Sequence, residues 1–86
     1  MFEILFSPAS AAFFERADAS LQRRLERCFA QLKLNPHHHN NIKRLKGEFA
    51  GLCRFRAGEW RVVYRIDSQA RRVVIVDIGH RRDIYG

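Results

Sequence analysis

The sequence predicts an α+β domain in which two N-terminal helices pack on one face of a four-stranded, largely antiparallel sheet. Three observations predict it: apolar residues spaced by two at the N-terminus, helical spacing over residues 8–34, and a return to a spacing of two from residue 51 onward. The last three strands are joined by Ala57-Gly58-Glu59 and Asp67–Arg71, connections too short for crossovers, so they form an antiparallel meander. The predicted order is β-α-α-β-β-β, and a chain of 86 residues is expected to build one core in one domain spanning 1–86.

Phe2, Ile4 and Phe6 alternate with Glu3 and Leu5, which marks a short strand. Ser7-Pro8 then supplies an N-cap and a proline at the first helical position, opening a helix to about Ala17 with Phe13 and Phe14 available for burial. Asp18 or Ser20 is placed to cap a second helix, where Leu21, Leu25, Cys28, Phe29 and Leu32 share a face opposite Arg23, Arg24, Arg27 and Gln31. It ends before Asn35-Pro36, because a residue preceding proline is driven out of the helical region. A polar loop leads to strands at Leu52–Arg56, Trp60–Asp67 and Arg72–His80.

With 47% hydrophobic and 29% charged residues the composition is that of a folded chain rather than a disordered one. No apolar run approaches the ~20 residues of a membrane span, and the start lacks the basic flank of a secretion signal, so a cytoplasmic location is expected. Cys28 and Cys53 sit in patterned apolar segments and read as reduced core thiols. Three consecutive side chains at His37-His38-His39 diverge and lack zinc-site spacing, so no metal and no small-molecule cofactor is expected.

The formal charge of +7 is uneven: residues 1–42 carry five Lys/Arg against four Asp/Glu, residues 43–86 eleven against five. Nucleic acid, an anionic membrane or an acidic protein partner all fit that count. Thirteen arginines against three lysines favour a phosphate backbone, because the guanidinium fork matches phosphate oxygens and stacks on bases. Strand parity sharpens the point. If Cys53, Phe55, Val62, Tyr64, Ile66, Val74, Val76 and Ile78 face the helices, the opposite face carries Arg54, Arg56, Arg61, Val63, Arg65, Val73, Ile75, Asp77 and Arg81. Like charges across neighbouring strands destabilise a sheet, so folding does not ask for this arrangement. Trp60 shares the parity of the core and reads as a packing group.

Leu45-Lys46-Gly47, Gly51-Leu52-Cys53-Arg54-Phe55-Arg56, Gly58-Glu59-Trp60-Arg61-Val62-Val63-Tyr64-Arg65-Ile66-Asp67 and Ile78-Gly79-His80-Arg81-Arg82-Asp83-Ile84-Tyr85, taken in order, resemble the RelE toxin family of the RelE/ParE superfamily. The resemblance implies the toxin of a type II toxin–antitoxin pair, an endoribonuclease that cuts messenger RNA in the ribosomal A site and is silenced by a cognate antitoxin. It implies that Arg61 and Arg81 stabilise the phosphate and that Tyr85 positions or stacks on the substrate. Arg54, Arg56, Arg65, Lys43, Lys46 and Arg82 are read as RNA-binding. At position 54 relatives often carry a lysine that serves as the base, and at Leu52 another; arginine does not deprotonate, so the base is open between His80, Lys46 and Tyr85. A ParE-like gyrase inhibitor and a non-catalytic RNA- or ribosome-binding protein are the alternatives.

Overall fold

The computed structural model describes residues 1–84 and orders them as β1 (Glu3–Phe6), α1 (Pro8–Arg16), α2 (Ala19–Leu34), β2 (Ile42–Arg44), a 3₁₀ turn (Gly47–Phe49), β3 (Cys53–Ala57), β4 (Trp60–Asp67) and β5 (Arg72–His80). The caps form where the sequence puts them. The Ser7 hydroxyl accepts the Ser10 N–H at 3.1 Å with Pro8 opening α1, and the Asp18 carboxylate accepts the Leu21 N–H at 2.8 Å to open α2. Among the described residues no helix is long and apolar enough to cross a membrane.

The sheet has five strands in the order β1-β5-β4-β3-β2 and is mixed, not the four-stranded, largely antiparallel sheet expected. β1 pairs parallel to β5, while β2–β3, β3–β4 and β4–β5 are antiparallel. The unexpected strand is β2, whose three residues Ile42, Lys43 and Arg44 are too few and too polar to show alternation. Its pairing is dictated by β3, with Lys43 opposite Arg54.

Both helices lie on one face, α1 against β5 and β1 and α2 against β1 and β3. The core beneath them joins Leu25, Cys28, Phe29 and Leu32 of α2 to Cys53, Phe55, Val62, Tyr64, Val73, Ile75 and Ile78 of the sheet. Tyr64 is fully buried, and its hydroxyl donates to the Pro36 carbonyl at 2.7 Å, tying the chain after α2 to the middle of β4. Trp60 packs edge-on against Phe13 of α1, with ring centroids 5.7 Å apart.

β5 departs from plain alternation. Val63 opposes Asp77 but Tyr64 opposes Ile75, which leaves Val76 as the extra residue of a β-bulge. Val73 and Ile75 therefore face the helices, where Val74 and Val76 were expected, and Val74 belongs to the opposite face. Past the bulge the expected phase returns, so Ile78 is in the core. The start of α1 holds the bulge: the Ser7 N–H and the Ser10 hydroxyl both donate to the Ile75 carbonyl at 2.9 Å, and the Ser7 hydroxyl donates to the Val76 carbonyl at 2.9 Å. Ser10 is the one buried polar side chain among the described residues, and these bonds account for its burial.

Ser10→Ala is expected to cost about 0.5–1.5 kcal/mol, measured by urea unfolding, because it removes a buried hydrogen bond at the bulge while the Ile75 carbonyl keeps the Ser7 N–H. Burial pushes the Cys28 thiol up to about 12 and raises the Tyr64 hydroxyl also. Folded Cys28 therefore keeps a proton that the unfolded chain releases near pH 9, so its contribution is complete below that pH and is lost as the pH rises from about 9 to 12. The urea midpoint should fall above pH 9, and fall less steeply in Cys28→Ala.

Candidate functional site

On the face without helices the strand register lays out two rows. One runs Lys43, Arg54, Val63 and Asp77 across β2, β3, β4 and β5; the next runs Arg56, Arg61 and Gly79 across β3, β4 and β5. Arg56 and Arg61 are direct cross-strand partners, and Arg54 lies diagonally from Arg61 and two residues before Arg56 on β3. The Arg61 guanidinium is fixed from behind by the β3–β4 turn: its Nη1 donates to the Gly58 carbonyl at 2.8 Å and to the Trp60 carbonyl at 3.0 Å. Burial first, and then the positive charges of Arg54, Arg56 and Arg81, lower its pKa, while Glu59 opposes them. Arginine is charged at any physiological pH regardless. Burial is the main cause of the shift, and the three neighbouring guanidiniums add to it.

Arg81 reaches the cluster through Glu59. The β3–β4 connection is a two-residue loop of Gly58 and Glu59 with positive φ at Gly58, the residue type that turn requires at its first position. A Cβ at Gly58 would also collide with the Arg24 guanidinium of α2. The Glu59 carbonyl accepts the Arg81 N–H at 2.9 Å, and its carboxylate meets the Arg81 Nε at 2.7 Å. One turn residue thus holds Arg81 at both backbone and side chain, leaving the guanidinium's Nη groups for another ligand. Just beyond, the chain turns back so that Ile84 covers Gly79, where an added Cβ would come within 3.3 Å of its Cδ1.

The other site residues fall in different places. Arg65 is on the same face but one row away, opposite Val74 and towards β1, and is not among the charges acting on Arg61. Lys43 stands beside Arg54, while Lys46 lies past the end of β2 and lines a cavity of about 230 Å³ with Lys43, Arg44, Leu45 and Phe49. Arg82 is exposed in the terminal turn. His80 points to the helical side, its ring edge-on to Trp60 with centroids 5.4 Å apart; its Nδ1 accepts the Arg82 N–H at 3.3 Å and its Nε2 lies 3.9 Å from the Glu59 carboxylate. Tyr85 lies outside the described residues. His37 lies against Phe2 with the His38 ring 6.2 Å away, and His39 lies against Phe55. A concavity of about 870 Å³ is lined by Phe2, Phe6, Phe14 and Phe29 between the helices and β1, away from the sheet arginines.

Sequence reasoning did not assign the Glu59 clamp. Its one visible signal is position, since a carboxylate in a two-residue loop is carried beside whatever follows the adjoining strand. Arg56→Thr should stabilise the fold by about 0.2–1 kcal/mol at low ionic strength, and Glu59→Ala should destabilise it by a similar amount. Thermal unfolding across a salt series checks this, because both effects must shrink as salt screens the cluster.

Comparison with known proteins agrees with this architecture. Residues 4–85 match the model of the family described as the ParE toxin of type II toxin–antitoxin systems. Toxin RelG of Mycobacterium tuberculosis is 46% identical over 43 residues, 50% of this chain and 49% of RelG, so the match spans about half of each. The toxin–antitoxin complex RelBE2 of Mycobacterium tuberculosis contains a chain that superposes with a TM-score of 0.80 at 27% identity, covering 93% of this chain and 98% of that one. The archaeal RelE–RelB complex of Pyrococcus horikoshii gives 0.80 at 18% identity over 96% and 98%, and the YoeB/ParE toxin of Agrobacterium tumefaciens 0.82 at 23% over 92% and 98%; these two share the fold. The chain belongs to the ParE toxin family of type II toxin–antitoxin systems and is a toxin of the RelE/ParE superfamily.

Proposed function

We propose that this toxin is a metal-independent endoribonuclease that cuts messenger RNA in the A site of the ribosome and is held inactive by a cognate antitoxin. The observation that carries the reading is the strand register that sets Arg54, Arg56 and Arg61 side by side, with Arg81 held at their rim by Glu59, on the sheet face opposite the helices. Four repelling guanidiniums weaken the free protein, and a phosphate among them turns that repulsion into attraction.

RNA is the polyanion that suits such a site without a metal. Its 2′-hydroxyl attacks the adjacent phosphate, which needs a proton acceptor, cations at the phosphoryl oxygens and a proton for the departing 5′-oxygen. Arg61, braced by two carbonyls, and Arg81, braced by Glu59, are held firmly enough to stabilise charge as it develops. Arg54, Arg56 and Lys43 grip the flanking backbone, Arg65, Lys46 and Arg82 extend the basic surface around it, and Tyr85 positions the substrate. Alignment of the message by the ribosome lowers the demand on the protein's own acid and base. An antitoxin partner is supported by RelBE2 and the archaeal RelE–RelB pair, both solved as toxin–antitoxin complexes.

A second reading, inhibition of DNA gyrase, is favoured by the family description as ParE. Mapping new 5′ ends on a message in translating ribosomes separates the two. Cuts at A-site codons are expected from the wild type, reduced about 10²–10³-fold in Arg61→Ala and Arg81→Ala and absent when the scissile nucleotide is 2′-deoxy. An intact message with inhibited supercoiling would establish the gyrase reading instead; an intact message with ribosome binding would leave a non-catalytic binding protein.

A further inference from the structure

Resting on the nuclease reading above, we infer that Asp77 is the catalytic residue that accepts the 2′-hydroxyl proton. The position is open because the arginines of the face do not act as bases. Tyr85 lies outside the described residues; His80 stands edge-on to Trp60 on the helical side, with the Glu59 carboxylate between its Nε2 and Arg81, and Lys46 lies beyond β2, away from the Arg56–Arg61 row.

The carboxylates can be taken in turn. Glu59 is engaged by Arg81 at 2.7 Å, and Glu3 pairs with Arg72 at 3.3 Å at the far end of β5. Asp67 accepts the Ala70 N–H at 3.1 Å in the β4–β5 turn, and Asp83 lies in the exposed turn past β5. Among the carboxylates, Asp77 shares a row with Arg54, next to Val63 and separated from Arg54 by β4, and lies one row from Arg61. The bulge puts it there. With Val73 and Ile75 in the core, unbroken alternation would send Asp77 into the core as well; the extra residue Val76 turns it out onto the arginine face. Its Oδ1 accepts the Ile78 N–H at 2.9 Å, which fixes the carboxylate plane and assigns proton transfer to Oδ2.

In the step this implies, the 2′-hydroxyl proton passes to Asp77 Oδ2 as the 2′-oxygen bonds to phosphorus. The bond from phosphorus to the 5′-oxygen breaks with its electron pair on that oxygen, which takes a proton from solvent water. A 2′,3′-cyclic phosphate and a 5′-hydroxyl result, and Asp77 returns its proton to water.

The test measures cleavage of message on programmed ribosomes under single-turnover conditions, recording the rate at saturating toxin and the half-saturating toxin concentration separately. Asp77→Asn keeps an oxygen for the Ile78 N–H, so the fold should persist, checked by circular dichroism. The saturated rate should fall about 10²–10⁴-fold, while half-saturation should occur at the same or a lower toxin concentration, since a negative charge has left an RNA-binding face. Asp77→Glu, which restores the carboxylate, should recover part of the rate. A saturated rate within tenfold of wild type in Asp77→Asn would overturn the assignment while leaving the nuclease standing. So would equal losses in Asn and Glu accompanied by weakened half-saturation, which a structural role predicts. A wild type that does not cut at all would overturn the nuclease reading and this assignment with it.

Discussion

Three hydrogen bonds from the first turn of α1 to the bulge of β5 set the phase on which the rest of the molecule depends. The Ser7 N–H continues the β1–β5 ladder onto the Ile75 carbonyl, and the Ser10 and Ser7 hydroxyls add bonds to the Ile75 and Val76 carbonyls at the bulge. Because side chains alternate every residue, one inserted residue decides which face everything on one side of it serves. Upstream of Val76 the strand packs Val73 and Ile75 into the core; downstream it packs Ile78, faces Asp77 outward and delivers Arg81 to Glu59. The same serines begin the helix that covers the strand, so covering the core and phasing the open face are one local structure.

The electrostatics follow from this division. The helical face supplies the apolar burial that stabilises the domain and is dry enough to suppress ionisation of Cys28 and Tyr64. The open face spends part of that stability on guanidiniums that repel. Glu59 offsets the repulsion without occupying the sheet surface, because it sits on a turn at the rim. A carboxylate within the Arg56–Arg61 row would neutralise the site and block a phosphate; at the rim it orients Arg81 and leaves the row open.

Much of this is legible from residues alone. The caps at Ser7-Pro8 and Asp18, the apolar face of α2 and the bounds of β4 and β5 follow from strong local patterns, and the parity of β3 and β4 suffices to place Arg54, Arg56 and Arg61 together. Three things are not legible, each for a physical reason. β2 is formed by its partner rather than by its own pattern, since one apolar residue in three carries no period. The bulge depends on side-chain bonds from residues 65 and 69 positions away, so Val73-Val74-Ile75-Val76, apolar at every position, reads equally well in either phase. The Glu59–Arg81 pairing joins a turn to the far end of β5, a contact that only the completed β4–β5 register produces.

That ambiguity in β5 bears on how one fold serves different toxins. The chain superposes at TM-scores near 0.80 on proteins from which it differs at most positions, so the architecture by itself names no chemistry. Residues facing the helices are constrained by packing, and those on the open face are constrained by whatever binds there. A lysine-based centre needs its ammonium groups at the positions filled here by Leu52 and Arg54, and neither of these takes up a proton. On the proposed nuclease reading, the acceptor inferred above occupies another open-face position, Asp77. The bulge opens such a position in the middle of β5, in the row that holds Arg54 and beside the row that holds Arg61, without disturbing the core phase of Val73, Ile75 and Ile78. A sheet with one irregular strand can thus move a catalytic group from strand to strand while its packed face stays the same.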